Sequence, residues 1–279
     1  MPFPSTLRAT GELADALAGA ELVIAAVPSH GTRDVLRLAA PHVKRGTIVV
    51  SATKGLELDT LFRVSEIIDQ ELKGVRSAVL SGPSFAVEVA RELPTAVCIA
   101  SADRDVVAAV QGDVKAPYLR LYGTDDVIGV ELGGALKNVI AIAAGVVEGL
   151  GLGHNALAGL ITRGLAEISR LACAAGAKRE TLAGLTGLGD LVLTCTGTLS
   201  RNRHVGIELA SGRPIADVLR EMKTVAEGVR TTEAALALAS RHGVELPIAS
   251  QVAELLAGRT DARTALGELM LRPQRAEAG

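Results

Sequence analysis

Tryptophan is absent from this chain, and aromatic residues make up only 2% of it. No platform for stacking unpaired bases is on offer, and a formal net charge of −2 presents no basic face to a phosphate backbone or an anionic membrane surface. Nucleic acid is therefore excluded as a partner. Cysteine is scarce: Cys98, Cys173 and Cys195 are odd in number and scattered. They read as reduced core residues of a cytoplasmic protein, not as a disulfide frame. The five histidines are isolated and no zinc-ligand spacing occurs, so no metal site is expected. The opening MPFPSTLRAT lacks the basic and apolar regions of a secretory signal. The longest uninterrupted apolar run, 139–147, falls short of the ~18 residues of a membrane span. A buried core helix is expected there, without membrane insertion.

What is present is apolar material in two different rhythms. The 279 residues are 48% hydrophobic and 22% charged, ample for one large or two modest domains. Short branched apolar runs at 22–27, 47–51, 77–80, 95–100 and 118–122 alternate with helical patterns at 12–18, 32–40, 60–72, 84–91 and 104–110. That alternation predicts a parallel sheet covered on both faces. From about Asp125 the period changes to 3.6, with helices expected at 127–149, 156–175, 201–210, 215–222, 231–242, 248–256 and 263–270. Ser200, Thr231 and Thr260 read as caps, Pro214 and Pro247 as first-turn prolines, and Gly176, Gly212, Gly243 and Gly258 as stops. The expected division is an α/β domain over 1–124 and an all-helical domain over 125–279, with a polar tail from Arg272.

An α/β domain followed by a helical one suggests a dinucleotide enzyme, yet no strand in this chain opens onto G-x-G-x-x-G. Two partial spellings occur later, at 151–156 and 187–192, without a preceding strand, and neither reads as a pyrophosphate turn.

Lys137 stands in the apolar stretch VELGGALKNVIAIAAGVVEGL (130–150). An ammonium there is costly unless paired or neutralised, and an embedded lysine is easily tuned toward proton transfer. The alternative is a lysine on the wet edge of a helix. Asn138 adds hydrogen-bonding capacity beside it. Asp190 sits among apolar residues in GLTGLGDLVLTCT (184–196) and needs a cation, for which Lys137 is the natural candidate. Plain glycine-rich helix packing is the other reading of that stretch. Three strand ends carry polar turns: Val27-Pro28-Ser29-His30, Ser51-Ala52-Thr53-Lys54-Gly55 and Ser81-Gly82-Pro83-Ser84. Ligands of open α/β sheets bind at the carboxyl ends of strands. Lys54 is placed there to meet a phosphate or carbonyl oxygen, and the hydroxyls after Ser81 suit an anion. Each is equally readable as an ordinary turn. Ser200-Arg201-Asn202-Arg203 offers a cap, a guanidinium fork and an amide; the bland alternative is a solvated helix start.

Taken together, AVPS (26–29), SATKGLE (51–57), SGPSFA (81–86), LPTAV (93–97), IGVELGGALKNVIAIAAG (128–145), ITRGLAEISRL (161–171), GLGDLVLTCT (187–196), SRNR (200–203) and VAEGVRTT (225–232) resemble bacterial NAD(P)-dependent glycerol-3-phosphate dehydrogenases over nearly the whole chain. The resemblance implies a Rossmann-type domain followed by a helical domain of the 6-phosphogluconate dehydrogenase type. It implies reversible reduction of dihydroxyacetone phosphate to sn-glycerol 3-phosphate with NAD or NADP, at the entry to phospholipid synthesis, by a cytoplasmic enzyme that forms a homodimer. Lys137 is then the general acid, and the base in reverse. Lys54, Gly82, Ser84, Lys137, Asp190, Ser200, Arg201 and Asn202 bind the substrate. Lys54, Ala86, Arg201, Val225 and Glu227 line the cofactor.

Such enzymes carry a first strand, a glycine loop, a helix and a second strand ahead of the point corresponding to Met1. A block of at least ~30 residues is expected to be missing, through a late start or a truncation. Two other readings stay open: an inactive remnant that only binds a ligand or partner, and a related dehydrogenase of another small hydroxy-substrate.

Overall fold

The computed structural model describes residues 4–222 and 224–274. The first three residues of the Pro-rich start and the end of the polar tail lie outside the described residues. The strands are β1 (Leu22–Ala25), β2 (Ile48–Ser51), β3 (Arg76–Ser81), β4 (Thr95–Ala100) and β5 (Leu119–Thr124). They form one five-stranded sheet in sequential order. The intervening helices are α1 (Leu13–Leu17), α2 (Thr32–Ala39), α3 (Val64–Glu71), α4 (Ala86–Ala90) and α5 (Arg104–Asp113).

Period-2 alternation explains why both faces are apolar. Val49 packs with Leu36 of α2 and with Val64, Ile67 and Ile68 of α3 on one face. Its neighbour Val50 packs with Ala78, Ile99, Val106 and Val110 on the other. One pairing departs from the parallel expectation: β3 and β4 run antiparallel, Ser81 opposite Cys98. The connection between them holds only the five-residue helix α4. Such a helix is ~8 Å long, too short to carry the chain back along a six-residue strand for a parallel crossover.

The helical part comprises α6 (Val127–Gly149), α7 (Gly153–Ala174), α8 (Arg179–Leu182), α9 (Asp190–Thr196), α10 (Arg201–Ala210), α11 (Ile215–Glu221), α12 (Glu227–His242), α13 (Pro247–Leu256) and α14 (Ala262–Met270). Helix α6 is long and apolar enough to cross a membrane, but 83% of its most apolar stretch is buried within the protein. Its residues Leu136, Val139, Ile140 and Ile142 anchor the largest apolar cluster, shared with α7, α9, α10, α12 and α13. Asp126 caps it, accepting from the Gly129 N–H at 2.9 Å, and also holds the Lys178 N–H at 2.8 Å. Helix α10 crosses α6 at Gly145 and Gly206, where a Cβ on either would overlap a carbonyl oxygen of the other helix. On the sheet side, Val79 of β3 packs on Val130 of α6. The sheet and the catalytic-candidate helix are thus in direct contact.

Four local expectations need correction. Helices α8 and α9, joined by a π turn over Leu185–Gly189, were hidden by the glycines of 184–189, whose low helix propensity is overridden by packing. Helix α12 begins at Glu227, so Thr231 is an interior residue and not a cap. Asp261, not Thr260, caps α14. The expected helix at 60–72 starts only at Val64, after a turn in which Leu61 adopts φ 63°. The stops at Gly176, Gly212, Gly243 and Gly258 all take positive φ, which glycine adopts without strain.

Candidate active site

Helix α6 carries Lys137 into the interior, where the residue is 5% exposed. Its ammonium donates to Asp190 Oδ1 at 2.5 Å and to Thr194 Oγ1 at 2.8 Å. Asp190 opens α9 and Thr194 lies one turn later, so the two face Lys137 together. Asp190 is 1% exposed and holds a second cation: Lys54 Nζ donates to its Oδ2 at 2.7 Å and to the Gly82 carbonyl at 2.9 Å. Two ammoniums from opposite halves of the molecule thus share one buried carboxylate. The thin packing that permits this comes from glycine. A Cβ on Gly134 would fall 2.5 Å from Ser81 Oγ, and one on Gly187 would overlap the Leu182 carbonyl.

The electrostatics follow from burial. Lys137 is pushed down to about 7, first by loss of hydration, then by the neighbouring Lys54 charge, against the opposing pull of Asp190. A lysine in that range gives and takes a proton near neutral pH.

A second wall joins α6, α10 and α12. Asn202 Nδ2 donates to Asn138 Oδ1 at 2.9 Å, and Asn202 Oδ1 accepts from the Gly228 N–H at 2.9 Å. A Cβ on Gly228 would stand 2.5 Å from the Asn138 carbonyl oxygen, so bare backbone is required there. Ser200 caps α10 by accepting from the Arg203 N–H at 3.2 Å. Arg201, the next residue, is exposed and engages no partner among the described residues.

The third wall is the carboxyl edge of the sheet. Ser29 donates its N–H and its hydroxyl to the Glu227 carboxylate at 3.0 and 2.5 Å, joining the end of β1 to the start of α12. Gly55 lies against this pair, with space for a Cβ only 2.6 Å from Ser29 Cβ. Ser84 donates back to the Gly82 carbonyl at 3.0 Å rather than capping α4. Ala86 is exposed at the first position of α4, and Val225 is half-buried just before α12.

The sequence has relatives over its whole length. Residues 1–107 match the family described as NAD-dependent glycerol-3-phosphate dehydrogenase N-terminus, and residues 126–267 the corresponding C-terminus. A protein of Koribacter versatilis named glycerol-3-phosphate dehydrogenase [NAD(P)+] is 51% identical over 99% of this chain and 83% of its own length. One of Geobacter metallireducens with the same name is 53% identical over 98% of this chain and 82% of its own. The chain belongs to the NAD-dependent glycerol-3-phosphate dehydrogenase family. Its fold agrees: the crystal structure of glycerol-3-phosphate dehydrogenase from Coxiella burnetii superposes with a TM-score of 0.94 at 42% identity, covering 97% of this chain and 83% of that one. The yeast glycerol-3-phosphate dehydrogenase structure gives 0.82 at 26% identity, covering 96% and 80%.

In this member of the family, two features of the site had no role in the sequence reading. Thr194 is one; its signal was the four-residue spacing from Asp190, which puts both on one helix face. The Ser29–Glu227 contact is the other, and at 198 residues of separation no local pattern announces it.

Proposed function

We propose that the chain interconverts dihydroxyacetone phosphate and sn-glycerol 3-phosphate with NAD(P)H, supplying glycerophospholipid synthesis. The observation that carries this is the buried Lys137 ammonium held on Asp190, an acid positioned and tuned for a carbonyl oxygen. When bound, the nicotinamide cofactor supplies the hydride in one direction and accepts it in the other.

The residues at the sheet edge fit the reactive end of such a cofactor. Ser29 and Glu227 are bonded together at that edge with Gly55 packed against them, Val225 stands two residues before Glu227, and Ala86 is exposed at the start of the helix that follows β3. Arg201 and Lys54 supply cations toward a phosphate or a carbonyl oxygen. Arg201 does so from the first position of α10, where the helix dipole adds to its charge.

The chemistry assigned to the chain is protonic. As the C2 oxygen of the ketone gains negative charge, Lys137 Nζ releases a proton to it, and the new alcohol O–H completes the reduction. Asp190 and Thr194 hold Nζ in place during the transfer, and Lys54 stays as the counter-cation of Asp190. In the oxidising direction neutral Lys137 takes the hydroxyl proton. Gly82, Ser84, Ser200 and Asn202 complete the substrate-binding set.

We also propose a division into domains 1–124 and 125–279, the last strand ending at Thr124 and α6 beginning at Val127. Action in the cytoplasm, without membrane insertion, fits three free cysteines and an apolar helix packed inside the fold, and the homodimer is proposed from the resemblance alone.

The test is dihydroxyacetone-phosphate-dependent oxidation of NADH and of NADPH by the purified chain. Turnover that disappears in Lys137→Ala supports the reading. Full turnover in that variant, or none in the folded unsubstituted chain, overturns it.

A further inference from the structure

The buried polar side chains around Lys137 satisfy one another with one exception. Lys137, Lys54, Asp190, Thr194, Asn138 and Asn202 all have protein partners. Ser81, the last residue of β3, is 2% exposed, and its hydroxyl has no hydrogen-bond partner. Among the described residues only Thr231 shares that condition.

The direction of the Ser81 side chain is fixed by the strand. Residues 79 and 81 share a face, and Val79 packs on Val130 of α6. One helical turn further, Gly134 faces Ser81: a Cβ there would fall 2.5 Å from Ser81 Oγ and 3.7 Å from Lys54 Cγ. The next turn of the same helix carries Lys137 and Asn138. The hydroxyl and the Lys54 stem therefore face the same point of α6, and Ser81 directly precedes Gly82, on whose carbonyl the Lys54 ammonium rests. A serine needing only a local partner finds a backbone carbonyl, as Ser84 does on Gly82. A buried hydroxyl left without one is unfavourable, and a site that tolerates it keeps the group for another state.

We propose that Ser81 is a further substrate-binding residue. Its hydroxyl donates to an oxygen of the small phosphorylated hydroxy-ketone, or of the corresponding alcohol, toward which Lys54 offers its third N–H while it stays on Asp190. This rests on the function proposed above. Lys54 lies at the open side: its side chain is 23% exposed, and its ammonium, bonded to Asp190 and to the Gly82 carbonyl, keeps one N–H for the ligand. Gly134 belongs to the same arrangement, because any side chain there displaces the hydroxyl.

The proposal predicts effects of opposite sign. In Ser81→Ala the ligand-free protein loses a buried unsatisfied group, so its unfolding temperature stays the same or rises. Its affinity for sn-glycerol 3-phosphate, measured by titration calorimetry, falls about 3- to 10-fold, the value of one neutral hydrogen bond. Equal affinity in the variant overturns the assignment. A fall in affinity together with a fall in unfolding temperature also overturns it, because the role is then structural. If the folded unsubstituted chain itself takes up no sn-glycerol 3-phosphate, the functional reading fails and Ser81 with it. If that chain binds and Ser81→Ala binds equally, only the Ser81 assignment fails.

Discussion

Replacing Lys54 by methionine isolates what its charge does to Lys137. The aliphatic stem is kept and the ammonium removed. In the intact site the two ammoniums sit on the two oxygens of Asp190, at 2.5 and 2.7 Å. That places them ~5 Å apart, where repulsion at an effective dielectric of ~20 is ~3 kcal/mol, equivalent to ~2 pH units. Lys54 is also the second cause, after burial, of the depression of Lys137 to about 7. Removing it raises the proton affinity of Lys137. In the reducing direction Lys137 must enter protonated, so kcat/KM declines as pH rises through its midpoint. In Lys54→Met that midpoint moves up by roughly 1 to 2 pH units, the rest of the repulsion being screened. In the oxidising direction activity increases with pH, and its midpoint moves up by the same amount. The overall rate falls as well, because the proposed substrate contact of Lys54 is lost, so the readout is the position of the midpoint and not the height of the curve. A midpoint that stays in place, or moves down, refutes the view that Lys54 tunes Lys137.

Three further outcomes are expected. Lys137→Ala lowers kcat by ~100-fold or more with its circular dichroism unchanged, as loss of a general acid requires. Asp190→Asn moves the pH midpoint down, opposite to Lys54→Met, because Asp190 supports the Lys137 charge; leaving the buried Lys137 ammonium without a carboxylate also lowers stability to urea by about 3–5 kcal/mol. Glu167 is lifted by burial from 4.5 to about 7 while accepting from the Ile248 and Ala249 N–H groups at the start of α13. The folded state therefore binds its proton more tightly than the unfolded chain, and stability is lost as pH rises between these two values and is level above them. Urea unfolding should show that Glu167→Gln removes roughly 2 kcal/mol of the stability difference between pH 5.5 and pH 7.5.

Much of the layout is legible because burial writes itself into composition. A charge inside an apolar stretch marked Lys137 and Asp190, and branched runs marked every strand. What stayed hidden was information that no local pattern holds. The run TAVCIA of β4 is equally apolar read in either direction, so only the short connection through α4 makes it antiparallel. Glycine-rich helix packing is one reading of 184–196, but it sets no helix bounds there, and α8 and α9 become visible only where those glycines let them pack against α6. Lys54 was placed at a strand edge, but its reach to the carboxylate that holds Lys137 depends on how the sheet meets α6. Across a separation of 136 positions between Lys54 and Asp190, the sequence carries no trace of it.

In the proposed mechanism the Lys54–Asp190–Lys137 cluster lets one site serve both reaction directions. With both lysines charged, the buried group carries one net positive charge, a state that burial makes unfavourable and that an anionic substrate relieves. When Lys137 gives up its proton, what remains is a neutral Lys54–Asp190 pair, the arrangement low-dielectric surroundings tolerate best. Proton donation therefore moves the cluster toward electrostatic neutrality instead of away from it. A lone buried Lys–Asp pair would behave oppositely, because deprotonation would strand a bare carboxylate. The second ammonium makes Lys137 a ready acid, and burial brings it to about 7, where the reverse transfer is equally accessible.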